Sequence, residues 1–255
     1  MTIHLRSTQS PRKTLSQEAA RLAWKAVQEI DDLSKAPTIV THANAKIKPV
    51  TGRAARRNEL LSVMRKTNLP SIGATITKDG RSAFWSSITT MQQSSLYKGL
   101  GVAAHYATIA PNGTIQTEVG LEAMIDVHVL KRLALRAPCR TLDDFIQALK
   151  PVIAWSSCVN QANISGRYVV ATDLGIFICA RAPLPLANDE QSGEAPRVIT
   201  FYGRDELSKS QVQIHADLTA AGAMKRPAYP SATRASKRQI ALAVMMHRME
   251  AQLRA

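Results

Sequence analysis

Residues 101–136 read GVAAHYATIAPNGTIQTEVGLEAMIDVHVLKRLALR, and the period of the hydrophobic pattern changes within this stretch. Before residue 121, apolar residues alternate with small or polar ones on either side of Pro111-Asn112-Gly113, a pattern that predicts two strands joined by a turn. From Leu121 onward, apolar residues recur every three or four positions, which predicts a helix over residues 121–136. The stretch therefore predicts a hairpin that passes into a helix.

Similar patterns on both sides of this stretch predict further strands and helices. Upstream, residues 74–77 and 82–88 flank Asp79-Gly80, which predicts a second hairpin with a two-residue turn. Downstream, Thr141 is placed to cap a helix over residues 141–150. Four later segments have strand-like patterns: 152–155, 167–172, 175–180 and 197–202. Whether the early hairpins extend the sheet of these later strands or form a separate sheet is left open.

The positive charge is concentrated at the two ends of the chain. Lys and Arg number 33 against 19 Asp and Glu, a formal net charge of +14. The charge divides the chain into a basic, largely helical N-terminal region over residues 1–69, a balanced body over 70–223 and a basic C-terminal helix over 224–255. Basic ends of this kind neutralise the phosphates of nucleic acid, and a solvated surface is the alternative interpretation.

Five basic side chains in these ends are the candidates for nucleic-acid contact. The predicted helix over residues 51–67 carries Arg53, Arg56 and Arg57 on a side different from its apolar residues, a layout that suits packing or phosphate contact. Lys237 and Arg238 lie in the predicted C-terminal helix. We therefore expect a nucleic-acid partner, RNA in preference to DNA, although these residues alone do not separate the two.

The cysteines and the hydropathy pattern bear on cofactors and compartment. Cys139, Cys158 and Cys179 are widely spaced and form no Cys-x-x-Cys pair or zinc-type cluster, so no disulfide framework, metal site or cofactor is expected. No apolar run reaches the roughly 18 to 20 residues that span a membrane, so a cytoplasmic protein without a membrane partner is expected. The motifs of nucleotide hydrolases, Rossmann enzymes, serine hydrolases and zinc peptidases do not occur.

A stripe of three cationic or titratable residues is the strongest candidate for chemistry. His128, Arg132 and Arg136 are spaced four apart in the predicted helix, so they lie above one another on one face. An imidazole can move a proton near neutral pH, and a guanidinium can stabilise charge on phosphoryl oxygens. The alternative interpretation is a surface stripe with an incidental histidine.

The sequence from this stripe to the strand Arg197-Val198-Ile199-Thr200-Phe201-Tyr202 resembles the catalytic domain of metal-independent ribonucleases. That group includes barnase, EndoU, nuclease colicins and RelE-like toxins. A His-x-x-x-Arg-x-x-x-Arg helix, a second short helix and strands ending in this motif carry the resemblance, which spans residues 120–210. It implies an α+β fold in which helices pack on one face of an antiparallel sheet, to which the basic ends add helical extensions.

The resemblance also implies a reaction, the attack of an RNA 2′-hydroxyl on the adjacent phosphate without a metal. His128 would shuttle the proton, and Arg132, together with Arg136, would stabilise the phosphorane-like state. Thr200 or Tyr202 would position the phosphate. Both residue types are also common in strands, so ordinary strand composition is the alternative interpretation of this pair.

Two functions remain as hypotheses. The first is a metal-independent endoribonuclease, a toxin or defence-type effector, whose basic ends hold RNA. The second is a non-catalytic DNA- or RNA-binding protein of a plasmid, phage or other mobile element, which uses the same residues only to contact phosphates. Convergence of His128, Arg132 and Tyr202 in one cleft would favour the first. Whether an inhibitor protein is a partner is left open.

Overall fold

The computed structural model of the chain describes residues 11–35, 52–65, 69–94, 97–183, 194–224 and 235–253. Within these ranges the chain has an α+β fold with seven strands in one sheet, six α-helices and one 3-10 helix. None of the helices in these ranges is long and apolar enough to cross a membrane. In chain order the elements are α1 (Pro11–Lys35), α2 (Arg53–Arg65), β1 (Ser71–Ile76), β2 (Ser82–Ser94), β3 (Tyr97–Ile109), β4 (Ile115–Asp126), α3 (Val127–Arg136), α4 (Leu142–Gln161), β5 (Arg167–Thr172), β6 (Gly175–Pro183), β7 (Glu194–Gly203), the 3-10 helix (Arg204–Glu206), α5 (Lys209–Ala220) and α6 (Lys237–Gln252).

The seven strands form a mixed sheet in the order β1-β2-β3-β4-β7-β6-β5. The two early hairpins and the later strands therefore share one sheet, which resolves the alternative that the sequence left open. Five neighbouring pairs are antiparallel, and β4 and β7 run parallel, with Met124 opposite Arg197 and Ile125 opposite Val198. The prediction of an antiparallel sheet is wrong at this pair. The long connection through α3, α4 and the β5–β6 hairpin is of the crossover type that parallel neighbours require.

The predicted helix over residues 121–136 is a strand in its first part. Strand β4 continues to Asp126, and α3 begins at Val127. Residues 122–125 are all buried, and a bulge opposite Val102 and Ala103 inserts Glu122 as an extra residue. A strand buried on both faces does not alternate in polarity, so its pattern cannot be separated from that of a buried helix.

Helix α4 begins as predicted but ends eleven residues later than residue 150. The Thr141 side chain accepts from the Asp144 backbone N–H, and the Asp144 carboxylate accepts from the Thr141 N–H, so the cap is reciprocal. The helix then passes through Pro151 and ends at Gln161. The predicted strand over residues 152–155 is therefore wrong, because this run is buried as part of a helix and carries no period of its own.

Helices lie on both faces of the sheet, which corrects the prediction that they pack on one. Trp85 and Ile88 are three residues apart in an uninterrupted stretch of β2, so their side chains point to opposite faces. Ile88 belongs to the main core, which includes residues of α1, α3, α4, α5 and α6. Trp85 belongs to a smaller cluster that contains Leu60 of α2.

The described parts of the two basic ends belong to this fold and are not appended to it. Helix α1 buries Ala19, Ala23, Ala26 and Ile30 in the main core, and α6 buries Ala243 and Met246 there. Both helices turn an apolar face inward, and α6 also buries Glu250, whose carboxylate lies 3.9 Å from Arg167 Nη1. Residues 11–35 and 237–252 therefore belong to the folded body, and the prediction from charge that they are extensions is wrong for these two helices.

Gly175 provides a test of the packing between the β5–β6 turn and β7. Its φ is +145°, and a Cβ atom there would overlap the Tyr202 carbonyl oxygen. We expect Gly175→Ala to lower the free energy of unfolding by about 3 kcal/mol, because backbone strain and steric overlap act together. Gly120→Ala is the matched control, since a Cβ atom at this β4 position meets nothing within 4 Å.

Denaturant unfolding followed by circular dichroism measures both variants. The control is expected to be unchanged or more stable by up to about 1 kcal/mol, because glycine weakens a strand. Equal stabilities of Gly175→Ala and Gly120→Ala would contradict the described approach of Gly175 to β7.

Candidate functional site at helix α3 and strand β7

Helix α3 presents the predicted stripe on the face that does not enter the core. Val129, Leu130, Leu133 and Ala134 are buried. His128, on the other face, is exposed, and Arg132 and Arg136 are half-buried. The local sequence explains this placement, because the apolar and cationic residues each recur every three or four positions. The prediction that the three residues share one helical face is confirmed.

Tyr202 of β7 brings two of these residues together. The Arg132 Cζ atom lies 5.5 Å from the centroid of the Tyr202 ring, and the Arg136 Cζ atom lies 5.9 Å from it. Both distances are in the range in which a guanidinium is attracted to an aromatic face. The structure therefore brings Arg132, Arg136 and Tyr202 together, although the arginines and the tyrosine are about 70 residues apart in the chain. The convergence of His128, Arg132 and Tyr202 in one cleft stays a prediction.

A bulge in β7 sets the direction of Thr200 and Tyr202. Cys179 of β6 pairs with Val198, whereas the preceding Ile178 pairs with Thr200, so one residue of β7 is extra. Val198 and Phe201 are consequently both buried in the main core, although they are an odd number of residues apart. Thr200 and Tyr202 lie on either side of Phe201, so both project to the side of β7 opposite the Phe201 ring, and Tyr202 also packs in part against the main core.

Two buried polar atoms of this neighbourhood have no hydrogen-bond partner in the described part of the chain. They are the Arg132 Nη1 atom and the Thr200 Oγ1 atom. A buried donor or hydroxyl without a partner costs about 1 to 3 kcal/mol, more when it is charged, so such atoms are uncommon in folded proteins.

Arg136 is held by other contacts. Its Nε atom lies 2.6 Å from Glu206 Oε2, and its Nη1 donates to the Phe201 carbonyl oxygen at 3.0 Å. A cavity of about 390 Å³ adjoins Arg136 and is also lined by Arg140, Asp205 and Glu206. His128, Arg132, Thr200 and Tyr202 are not among its lining residues. The predicted site residues thus share a surface, and this cavity is not a cleft that encloses them.

His128 lies at the first turn of α3, where three positive charges (Arg132, Lys131 and Arg136) and one negative charge (Asp126) act on it. Burial lowers the pKa of His128 below its ordinary value, the positive charge of Arg132 lowers it further, and the Asp126 carboxylate opposes these effects. The imidazole is therefore mostly neutral at pH 7. Asp126 also accepts from Arg197 Nη2 at 3.0 Å through its other oxygen. The sequence did not predict a role at this site for Asp126, Arg197 or Glu206. Among them only Asp126 carried a sequence signal, because it is a helix-capping residue type two positions before His128.

The basic candidates outside this site are on other elements. Arg53, Arg56 and Arg57 lie on α2, at the β1–β2 end of the strand order, and Lys237 and Arg238 begin α6, which packs on β5 at the other end. Strands β4 and β7 are in the middle of that order. The sheet therefore does not place these five residues together with α3.

No match to this chain was found among known protein families, curated proteins or solved structures. The resemblance to metal-independent ribonucleases therefore stays a prediction drawn from short motifs. The order of elements that carried the resemblance contains one strand fewer than predicted, because residues 152–155 are helical.

The electrostatic coupling of His128 to Arg132 can be measured directly. We expect the pKa of His128 to lie below the ordinary histidine value of about 6.5. Arg132→Gln should raise it, because a positive charge one turn away is removed, without restoring the ordinary value, since burial is the larger cause. Titration of the imidazole protons by NMR gives both values. Lys25→Gln on α1 is the control, and an equal shift in both variants would contradict the coupling.

Proposed function

We propose that this protein binds nucleic acid and that the surface of α3 and β7 contacts its phosphates. The observation that carries the proposal is the half-buried Arg132 guanidinium. It lies over the Tyr202 ring, with one nitrogen that has no hydrogen-bond partner among the described residues. A guanidinium held in one plane can offer two parallel hydrogen bonds to a phosphate.

Arg132 and Lys131 are the cations of α3 that form no ion pair with a described residue, and Arg132 is the one held against an aromatic ring. The charge of Arg136 is compensated by Glu206 at 2.6 Å, and that of Arg197 by Asp126 at 3.0 Å. Neutral His128 can add a hydrogen bond but little charge. The net charge of +14 favours encounter with a polyanion over long distances, and Arg132 supplies a specific contact after the encounter.

Substitution of Arg132 tests this assignment. Arg132→Gln should weaken binding of single-stranded RNA about tenfold, the equivalent of one charge-assisted hydrogen bond. The slope of log affinity against log salt should fall by about 0.7, because one phosphate contact to a single strand is lost. Arg132→Lys should retain the salt slope and recover part of the affinity, since it keeps the charge and loses the fork. Fluorescence anisotropy at several salt concentrations measures these quantities.

Lys25→Gln removes the same charge from an exposed position on α1 and is the matched control. Equal affinities of the Arg132→Gln and Lys25→Gln variants would reject the α3 and β7 surface as the phosphate contact. An affinity that does not depend on salt would reject a nucleic-acid backbone partner altogether.

Endoribonuclease activity is a second candidate function, and the position of His128 favours it. A mostly neutral imidazole stands four residues before Arg132, on the same exposed face. In this proposal His128 accepts the proton of an RNA 2′-hydroxyl, whose oxygen attacks the adjacent phosphorus. The bond to the 5′-oxygen breaks, and that oxygen takes the proton back from His128 to become a hydroxyl. Arg132 stabilises the charge on the phosphoryl oxygens, and Thr200 or Tyr202 positions the phosphate.

Cleavage assays in EDTA test this second function, since the proposed chemistry uses only side chains. RNA should yield 2′,3′-cyclic phosphate and 5′-hydroxyl ends, and DNA should resist because it lacks the nucleophile. His128→Ala should lower the rate roughly 100- to 10,000-fold, the usual contribution of a positioned acid or base. Because a base must be unprotonated, the rate should fall as the pH drops below the lowered pKa of His128. If wild type and His128→Ala both bind RNA and both leave it equally intact, the catalytic proposal is rejected and the binding proposal stands.

A further inference from the structure

The turn between β1 and β2 is fixed against the first turn of helix α2. A Cβ atom built on Gly80 would lie 3.0 Å from the Arg53 carbonyl oxygen and 3.6 Å from the Arg57 backbone nitrogen, so the two backbones are in close contact. The Arg56 Nη2 atom donates to the Asp79 carbonyl oxygen at 3.1 Å. Two segments that are over 20 residues apart in the chain therefore form one local structure.

The first turn of α2 and the β1–β2 turn together concentrate positive charge. Residues 52–57 and 77–82 contain five basic residues and one acidic residue. Arg53, Arg57, Lys78 and Arg81 are exposed, and we refer to these four residues together with Arg56 as the hairpin platform. Their side chains belong to two elements that the Gly80 contact holds side by side.

Asp79 carries the one carboxylate in these two segments, and it accepts hydrogen bonds from within the β1–β2 turn. Asp79 Oδ1 accepts from the Thr77 hydroxyl at 2.6 Å and from the Arg81 backbone N–H at 3.0 Å. The Thr77 hydrogen bond, followed by the Arg81 N–H, lowers the pKa of Asp79 below its usual value. The positive charge of Arg81 also lowers this pKa, so Asp79 offsets part of the platform's charge while it closes the turn, and five basic residues face this one carboxylate.

The basic residues of α1 show the contrasting arrangement. Arg21 pairs with Glu18 at 2.7 Å, and Lys25 lies 3.7 Å from Glu29. Arg53 and Arg57 of α2, and Lys78 and Arg81 of the turn, form no ion pair with the residues that the structure describes. Like charges held together without counter-charges repel each other, and an external polyanion removes that repulsion.

We propose that the hairpin platform is a second nucleic-acid contact and that it binds the sugar–phosphate backbone of a duplex without regard to base sequence. Residues 52–57 and 77–82 include no aromatic side chain, so the stacking by which many proteins hold single strands has no basis here. A duplex presents phosphates at high density, which suits several fixed cations at once. The inference rests on the proposed function, since it assumes that nucleic acid is the partner.

A triple substitution tests the platform without disturbing its fold. Arg57→Gln, Lys78→Gln and Arg81→Gln together remove three exposed charges and leave Arg53 and Arg56, whose contacts hold the turn, in place. The control triple Lys25→Gln, Lys209→Gln and Arg248→Gln removes the same charge from exposed positions on α1, α5 and α6. Equal thermal unfolding midpoints of the two triples show that each one folds.

The probe is a blunt-ended DNA duplex of random sequence, titrated at several salt concentrations. The platform triple should bind roughly ten- to a hundredfold more weakly, and its salt slope should fall by about 2 to 3, one contact per charge removed. The control triple should keep the wild-type slope. Equal losses in the two triples would overturn the proposal, because net charge alone would then explain binding.

Further binding measurements distinguish this proposal from a failure of the α3 and β7 surface, from a membrane partner and from base-specific recognition. If the platform is correct but the α3 and β7 surface is not, the platform triple loses duplex affinity while Arg132→Gln retains RNA affinity. If the partner is a membrane surface, the platform triple loses binding to phosphatidylserine vesicles and binds the duplex like wild type, which overturns the proposal. A duplex preference for one base sequence that disappears in the platform triple would also overturn it, since backbone contacts carry no sequence information.

Discussion

The Asp126 carboxylate joins the three elements on which the candidate site depends. One oxygen accepts from the His128 backbone N–H at 2.8 Å and so begins helix α3. The other accepts from Arg197 of β7 at 3.0 Å. The backbone pairs that make β4 and β7 parallel, Met124 with Arg197 and Ile125 with Val198, lie directly beside this contact. The end of one strand, the start of a helix and a residue of a distant strand therefore meet at a single side chain.

This junction explains why α3 lies along β7. A helix that begins where a parallel pair ends has little freedom in direction, because its first turn is capped and its buried face must meet the core. At its far end Gly203 makes the close approach possible, since a Cβ atom there would lie 2.9 Å from the Arg136 Cβ atom and 3.0 Å from the Arg136 carbonyl oxygen. Between these two points α3 faces Tyr202, and the Arg132 and Arg136 guanidinium groups lie against its ring.

Local sequence signals predicted the elements whose ends carry turn or capping residues. Asp79-Gly80, Pro111-Asn112-Gly113 and the Thr141 cap placed two hairpins and the start of α4 correctly, because turns and caps depend on a few neighbouring residues. The failures are at residues 121–126 and 152–155, where buried runs have no polar face to reveal their period. The parallel pairing of β4 and β7 depends on contacts over 70 residues apart, which no local pattern encodes.

The same limit applies to the candidate site. Helical spacing predicted that His128, Arg132 and Arg136 share a face, and strand alternation predicted that Thr200 and Tyr202 point together. The partners that decide how much charge is available, Glu206 for Arg136 and Asp126 for Arg197, are set by tertiary packing.

Total charge is therefore a poor guide to where this chain would meet a polyanion. Basic residues of α1 and β7 have carboxylates beside them, and so does Arg136. Arg132 has an aromatic ring on one side and a nitrogen without a hydrogen-bond partner among the described residues. Beside the hairpin platform, the Asp79 carboxylate accepts hydrogen bonds from Thr77 and from the Arg81 backbone. Because an exposed ion pair is worth little to stability, a basic residue without a counter-charge costs the fold little. It leaves a positive field at the surface, and Arg132 and the hairpin platform each combine that field with contacts that hold the cations in place.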